Sequence, residues 1–223
     1  IAVIVKDGLE RMYVDQEDRL YYISLHNENY VHPEMPKGVE EGIIKGMYRF
    51  QSSKLKKSVG HANLFGSGIT VPIALKAAEV LEKDYGVSAD IWSVTSYTEL
   101  RREGLDCERH NLLHPTAKQQ VPYVASVLKK AKGVFVASSD NMKALADGIR
   151  QWVPGQFHVL GTDGFGRSER RSVLRDHFEI DHRYMVVAAL NALAKEGTIK
   201  AEVVSKAIKD LGINVDKINP HLA

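Results

Sequence analysis

The chain has 223 residues, of which 44% are hydrophobic and 26% charged, and its 30 Lys and Arg against 28 Asp and Glu give a net charge of +2. This composition indicates a folded globular protein and excludes a disordered or fibrous chain. No apolar run approaches the ~20 residues of a membrane helix, and the near-neutral charge gives no overall field for nucleic acid. The single cysteine, Cys107, cannot form an internal disulfide, so nothing points to an oxidising compartment.

The first fifty residues differ in pattern from the rest. The chain begins with Ile1 in a strand-like run over residues 1–5, which predicts a piece of a longer protein, and residues 20–25 predict a second strand. A polar loop with two prolines follows over residues 26–36, and the three glycines of residues 38–46 make a poor helix. We expect a linker at residues 51–58, which are basic and Ser-rich.

After residue 58, short apolar runs alternate regularly with helical patterns. The sequence predicts strands at residues 62–65, 89–94, 133–137 and 157–160, and helices after each of them. The predicted caps of the helices are Thr70, Ser96 with Glu99, Ser139 with Asp140, and Ser168. This alternation predicts an α/β fold with a mostly parallel sheet covered by helices on both faces. In such sheets ligands bind beyond the carboxyl ends of the strands, so function is expected in the loops that begin there.

Two short motifs offer weak chemical signals. Residues 66–68 read Gly-Ser-Gly, as at the start of a dinucleotide fingerprint, but Val71 stands where the third glycine belongs. Cys107, His110 and His114 have a spacing that could supply three zinc ligands on one helical face. However, Pro115 follows directly and the helical signals are weak, so a partly buried polar loop without metal is the favoured interpretation.

Residues 160–168 form the most distinctive segment, in which Asp163, Phe165, Gly166, Arg167 and Ser168 follow a predicted strand. Open backbone N–H groups in such a loop could hold an anion. A tight strand-to-helix connection, with Asp163 in an Asx turn, explains the same residues and is favoured. The nearby arginines 167, 170, 171 and 175 alternate with acidic residues, a pattern typical of a solvated, salt-bridged face.

Residues 160–168 also resemble the Gly-x-Asp-x-Phe-Gly-x-Ser signature of transketolase-like thiamine diphosphate enzymes. Four further segments are similar to the bacterial homodimeric pyruvate dehydrogenases within that family: residues 25–30, 94–100, 106–109 and 219–223. The resemblance implies a three-layer α/β/α fold with a largely parallel five-stranded sheet. It also implies that residues 1–50 are the tail of a preceding pyrimidine-binding domain and that residues 59–223 are the transketolase-like C-terminal domain.

The implied activity is the oxidative decarboxylation of pyruvate, with transfer of the acetyl unit to a lipoyl group. It would require thiamine diphosphate and Mg²⁺ in the full-length enzyme. The family's Gly-Asp-Gly motif and its two adjacent asparagines are missing from this sequence. We therefore expect no catalytic, cofactor-binding or metal-binding residue in this segment, and expect it to support assembly.

The resemblance further implies a cytoplasmic homodimer that works with a lipoyl acetyltransferase component, without nucleic acid or membrane. Asp163, Phe165, Gly166, Arg167 and Ser168 are then candidates for a structural loop near a subunit interface. Two alternatives remain open: the C-terminal domain of another transketolase-like thiamine enzyme, and an independent α/β domain that binds an anion.

Overall fold

The structure, a computed structural model, describes residues 1–26, 29–31 and 33–223. Five strands form one sheet: β1 Met47–Gln51, β2 Gly60–Gly66, β3 Val87–Val94, β4 Val134–Ser138 and β5 Phe157–Leu160. The helices of the described residues are α1 Ala2–Leu9, α2 Glu40–Lys45, α3 Thr70–Tyr85, α4 Tyr97–Leu113, α5 Tyr123–Leu128, α6 Lys143–Asp147, α7 Arg171–His177, α8 His182–Lys195 and α9 Ala201–Asp210. None of them is long and apolar enough to cross a membrane.

The strand order in the sheet is β1-β3-β2-β4-β5. Strands β2 to β5 pair in parallel, and β1 pairs antiparallel with β3 at one edge. The central strand β2 lies between β3 and β4, and most of its side chains are buried. The prediction of a mostly parallel five-stranded sheet is confirmed.

Two hydrophobic cores lie on opposite faces of the sheet, which gives the three layers. One core packs α3, α8 and α9 on alternate sheet residues such as Leu64 and Val136. The other core packs α4, α5 and α6 on the intervening residues, with Phe65 surrounded by the rings of Trp92, Phe135 and Phe157. The period of two along each strand divides the side chains between the cores.

The N-terminal predictions were wrong in their secondary structure. Residues 2–9 form helix α1, because their β-branched side chains have no neighbouring strand here and Gly8 admits the ring of Tyr21 beside the helix. The Tyr21 hydroxyl donates to the Asp7 carboxylate at 2.8 Å, so Tyr21 contacts α1 and residues 20–25 form no strand. The glycine-rich segment contains helix α2, which ends at Gly46 in a left-handed conformation.

The boundary expected after residue 50 falls inside β1, a strand that the sequence did not reveal. Its residues pair with β3, so the sheet begins upstream of that boundary. The expected linker at residues 51–58 is the connection from β1 to β2 within the same sheet. Ser53 anchors it, because its backbone N–H donates to Asp90 at 2.9 Å and its hydroxyl to Glu82 at 2.5 Å.

Some local signals were confirmed and others were not. Ser96 caps α4 by accepting the N–H of Glu99 at 3.1 Å, and Gly86 ends α3 at a φ of 63°. Cys107 and His110 lie in α4 and His114 follows its last residue, so the polar loop expected there is wrong. The buried face of this long helix outweighs its weak intrinsic signals, since burial stabilises helices more than propensity does.

A close helix contact makes α4 sensitive to any added atom at Gly104. The Trp152 ring packs on this residue, and its Nε1 donates to Glu108 on the same helix at 2.9 Å. A methyl group on Gly104 would lie only 2.5 Å from Cη2 of Trp152. The indole can stay in place only because residue 104 has no side chain.

We expect Gly104→Ala to lower the free energy of unfolding by about 1–2 kcal/mol, because overpacking outweighs the ~1 kcal/mol that Ala gains over Gly in a helix. Urea unfolding monitored by Trp fluorescence measures this loss. Gly166→Ala is the matched control, since an added Cβ there meets no atom within 4 Å. Equal stability of the two variants would contradict the proposed role of the Trp152 contact.

Candidate functional site

The candidate site is the carboxyl edge of the sheet, where β2 and β4 end side by side. From β2 the chain leads to β3 on one side, and from β4 it leads to β5 on the other. This reversal of strand order is where open α/β sheets usually leave a ligand crevice. The residues that line it come from the loops after β2, β4 and β5.

Hydrogen bonds between neighbouring loops close this position. The Thr70 hydroxyl accepts the N–H of Ser67 at 2.8 Å and donates to the carbonyl oxygen of Ser138 at 2.6 Å. The Ser138 hydroxyl donates in turn to the carbonyl of Ile180 at 2.9 Å. Thr70 therefore does not serve as the N-cap, which is Ile69, but joins the end of β2 to the end of β4.

The loops after β4 and β5 are joined in the same way. Thr162 donates its hydroxyl to the carbonyl of Asp140 at 2.6 Å and its N–H to the carbonyl of Asn141 at 3.0 Å. Gly161 permits this approach, because a Cβ there would lie 2.7 Å from the Asn141 oxygen. These hydrogen bonds occupy main-chain N–H and carbonyl groups that could otherwise bind a ligand.

Asp163, the first of the candidate loop residues, completes the start of α6. Its Oδ1 accepts the N–H of Lys143 at 3.0 Å, and Lys143 Nζ lies 3.9 Å from its Oδ2. The cap expected from Ser139 and Asp140 is wrong, because α6 begins only at Lys143 and takes its side-chain partner from the next loop. Asp163 thus acts between two loops rather than in the local Asx turn that was expected.

The remaining candidates, Phe165, Gly166, Arg167 and Ser168, project from the loop into solvent. The side chain of Phe165 is 81% exposed. Ser168 does not cap the next helix, since α7 begins at Arg171 and Arg170 occupies the cap position without a side-chain bond. A Cβ on Gly164, whose φ is 93°, would lie 3.0 Å from the carbonyl oxygen of Pro220, so the C-terminal tail packs on this loop.

The N-terminal segment reaches the same edge, which sequence reasoning missed. His26 Nε2 lies 2.9 Å from Oδ2 of Asp140, a pair 114 residues apart. Arg175 donates to the Tyr30 hydroxyl at 3.2 Å and lies over its ring. No local pattern marks either contact. The motif of residues 25–30 and the polar loop after it include Asn27, Glu28 and His32, which lie outside the described residues.

The ion pairs near α7 are formed by Arg183, a residue that follows the arginine-rich segment. Arg183 binds both Asp176 and Asp181, and Asp181 caps α8. The hydrogen bond to Asp181 raises the pKa of Arg183 and outweighs the effect of burial, which lowers it. The salt-bridged face expected from arginines 167, 170, 171 and 175 stays a prediction, since these ion pairs belong to Arg183.

The Cys107 side chain is buried against the second core, 3.3 Å from Oε1 of Glu103. Burial first, and then the hydrogen bond to Glu103, raises the pKa of the thiol to about 11. His110 and His114 stack their rings with centroids 4.4 Å apart. The thiol thus stays protonated near neutral pH, which is unfavourable for a nucleophile or a metal ligand.

The donors at the carboxyl edge do not fit thiamine diphosphate with Mg²⁺, the group that the resemblance implies. A bound Mg²⁺ requires oxygen ligands from carboxylates or carbonyls. Here Asp140 pairs with His26, and Asp163 is held by Lys143. Within the described ranges, no three His, Cys, Asp or Glu side chains are grouped to hold a metal ion.

Comparison with known proteins gives matches along the whole chain. Residues 46–181 match the transketolase-like C-terminal domain, and residues 1–33 match the middle domain of the pyruvate dehydrogenase E1 component. The pyruvate dehydrogenase E1 component of Haemophilus influenzae is 54% identical over 99% of this chain, and that of Escherichia coli K12 is 52% identical over 100%. The chain spans 25% of the length of each of these relatives.

Among solved structures, a transketolase from Leishmania mexicana is similar, with 17% sequence identity and a TM-score of 0.45. The matched region covers 70% of this chain and 19% of the transketolase chain. The family match runs from β1 to the cap of α8, so it includes the whole sheet and the helices of the second core. The chain therefore belongs to the transketolase-like C-terminal domain family, and its relatives along its whole length are pyruvate dehydrogenase E1 components.

Proposed function

We propose that this chain is the C-terminal, assembly-supporting segment of a thiamine diphosphate-dependent pyruvate dehydrogenase. The observation that carries the proposal is the 54% identity over nearly the entire chain to a pyruvate dehydrogenase E1 component. The whole enzyme would decarboxylate pyruvate oxidatively and pass the acetyl unit to a lipoyl group. Residues 1–33 would be the tail of the preceding domain, as their separate family match supports.

The segment itself takes no chemical step in this proposal. Thiamine diphosphate supplies the decarboxylation chemistry in the whole enzyme, but the residues at the carboxyl edge do not fit it. Their hydrogen bonds hold the loops after β2, β4 and β5 in one arrangement. They thereby fix the exposed loop that carries Phe165.

Phe165 points to a subunit interface. An aromatic ring in a polar loop needs a surface on which to pack, either helices of its own domain or a partner. With 81% of the residue exposed, its own domain does not provide that surface. We propose that a second copy covers the ring in a homodimer, and that the dimer works in the cytoplasm with a lipoyl acetyltransferase component.

The two alternatives have less support. Transketolase resembles the chain at only 17% identity, against 54% for the pyruvate dehydrogenase relative. An anion site in the loop of residues 160–168 would need free N–H groups, and the N–H of Thr162 is already taken by the carbonyl of Asn141.

The first test is calorimetric titration of the 223-residue chain with thiamine diphosphate and Mg²⁺. We expect no heat of binding, because the carboxylates at the carboxyl edge, Asp140 and Asp163, are already engaged by His26 and Lys143 and are not free to bind Mg²⁺. A full-length pyruvate dehydrogenase E1 component serves as the positive control. Micromolar affinity in the 223-residue chain would overturn the assignment of a non-catalytic segment.

The second test is Phe165→Ala in the full-length enzyme. Burying each ring is worth about 2 kcal/mol, so we expect the dimer dissociation constant to rise at least roughly thirtyfold. The decarboxylation rate per dimer should stay nearly unchanged. Analytical ultracentrifugation and a rate assay above the new dissociation constant measure the two effects separately.

Leu112→Ala is the matched control for this test. Leu112 is 78% exposed, and it lies near the C-terminal end of α4, which runs away from the carboxyl edge. Its removal should leave the dimer unchanged. A hundredfold loss of rate in intact Phe165→Ala dimers would show that the loop acts on the transition state and would disprove the structural role.

A further inference from the structure

A pocket lies on the outer side of the sheet between the edge strand β5 and helix α8. Its volume is about 150 Å³, and its walls are formed by Gln156, Phe157, His158, Ala188, Asn191, Ala192 and Lys195. Phe157 and Val159 point into the core beneath α6, whereas Leu160 points into the core beneath α8. By the alternation along the strand, His158 faces α8 and the pocket.

Four polar side chains meet at this pocket without a partner from the protein. In the described part of the chain, no hydrogen bond or ion pair engages the side chains of Gln156, His158, Asn191 or Lys195. By contrast, the neighbouring cations Lys143 and Arg150 are paired with Asp163 and Asp147. The pocket therefore offers one ammonium, one imidazole and two amide groups that remain free to donate.

The electrostatic environment of the pocket is positive. The pKa of His158 is lowered, first because the ring is partly withdrawn from water and then because Lys143, Lys195 and Arg150 lie near it. Only Asp147 acts in the opposite direction. Near neutral pH the imidazole is thus neutral, and Lys195 provides the unpaired charge. Lys195 also offsets the negative end of the α8 dipole, which would otherwise oppose an anion.

We propose that this pocket between β5 and α8 binds the phosphate group of a small phosphorylated molecule. A phosphate has several oxygen acceptors in different directions, and charge-assisted hydrogen bonds to an ammonium and an imidazole are the strong ones. A cavity of about 150 Å³ can hold one such group. This site is independent of the proposed function, because it uses none of the residues at the carboxyl edge.

Binding should be coupled to the protonation of His158. A bound dianion stabilises the imidazolium, so it raises the pKa of His158 toward its ordinary value. By linkage, the anion binds more tightly as the pH falls from the pKa of His158 in the complex to its pKa in the free chain. The groups that set this dependence are Lys143 and Asp147 of α6, Arg150 just after it, and Lys195 of α8.

The experiment follows the imidazole proton resonances of the 223-residue chain by NMR while inorganic phosphate replaces chloride at constant ionic strength. His158→Gln identifies the resonance of His158. We expect phosphate to shift this resonance saturably and to raise its pKa. Sulfate, which does not titrate between pH 5 and 8, separates the protonation of His158 from that of phosphate.

Lys195→Gln is the decisive variant. It should weaken phosphate binding roughly tenfold, because it removes one charge-assisted hydrogen bond. Lys118→Gln is the matched control, since Lys118 is an exposed lysine in the connection between α4 and α5, on the opposite face of the sheet. It should leave the affinity unchanged. Thermal unfolding verifies that both variants are folded.

Glycerol 3-phosphate distinguishes the source of the group. Binding tighter than that of inorganic phosphate supports a phosphorylated molecule as the ligand, and weaker binding contradicts it in favour of the free ion. The proposal is overturned if phosphate moves the His158 resonance no more than chloride does. It is also overturned if Lys195→Gln binds phosphate as well as the parent chain does.

Discussion

The fold depends on the position of β2 between two parallel neighbours, with helices covering both of its faces. A strand so placed must bury almost every side chain, and Asn63, the polar side chain that it buries fully, shows what this requires. Asn63 is fully buried, and its amide donates to the carbonyl of Lys132 at 2.8 Å while its Oδ1 accepts from Nε1 of Trp92 at 3.1 Å. A buried amide without these partners would cost roughly 1–3 kcal/mol. Asn63 thus joins β3 to the chain that enters β4.

The same arrangement explains why the carboxyl edge is closed. Parallel strands bring all their exit loops together, and here the loops satisfy one another through Thr70, Ser138, Thr162 and Asp163. In many α/β proteins this edge binds the ligand. In this chain the exit loops are joined at this edge by hydrogen bonds, and His26 attaches the N-terminal segment to it by its contact with Asp140.

Local signals predicted most of the sheet domain. Strands β2 to β5 and helices α3, α8 and α9 were evident because their apolar periods are clear and Gly86, Gly197 and Gly212 end the helices. The strand β1 was not evident, since it is short and pairs with β3 some forty residues later. The run of residues 1–5 was misassigned because β-branched residues favour a strand only where a neighbouring strand exists.

At the candidate site too, features set by neighbouring residues could be predicted, and contacts between residues far apart in the sequence could not. The turn at Asp163 could be placed from its glycines, but its partner Lys143 lies in another loop, and the pairing of His26 with Asp140 leaves no trace in the sequence. The pocket beside β5 escaped detection for the same reason, because His158 and Lys195 come together only when α8 packs on the sheet. Contacts of this kind follow from topology and not from spacing.

Because Cys107 is buried, the reactivity of its thiol reports on local unfolding of the chain. The thiol is 6% exposed, and with a pKa of about 11 only a small fraction of it is thiolate at neutral pH. A disulfide reagent therefore reacts slowly with the thiol as long as α4 stays packed. Since this is the single cysteine of the chain, its labelling rate at increasing denaturant measures how often the structure around α4 opens, without any engineered probe.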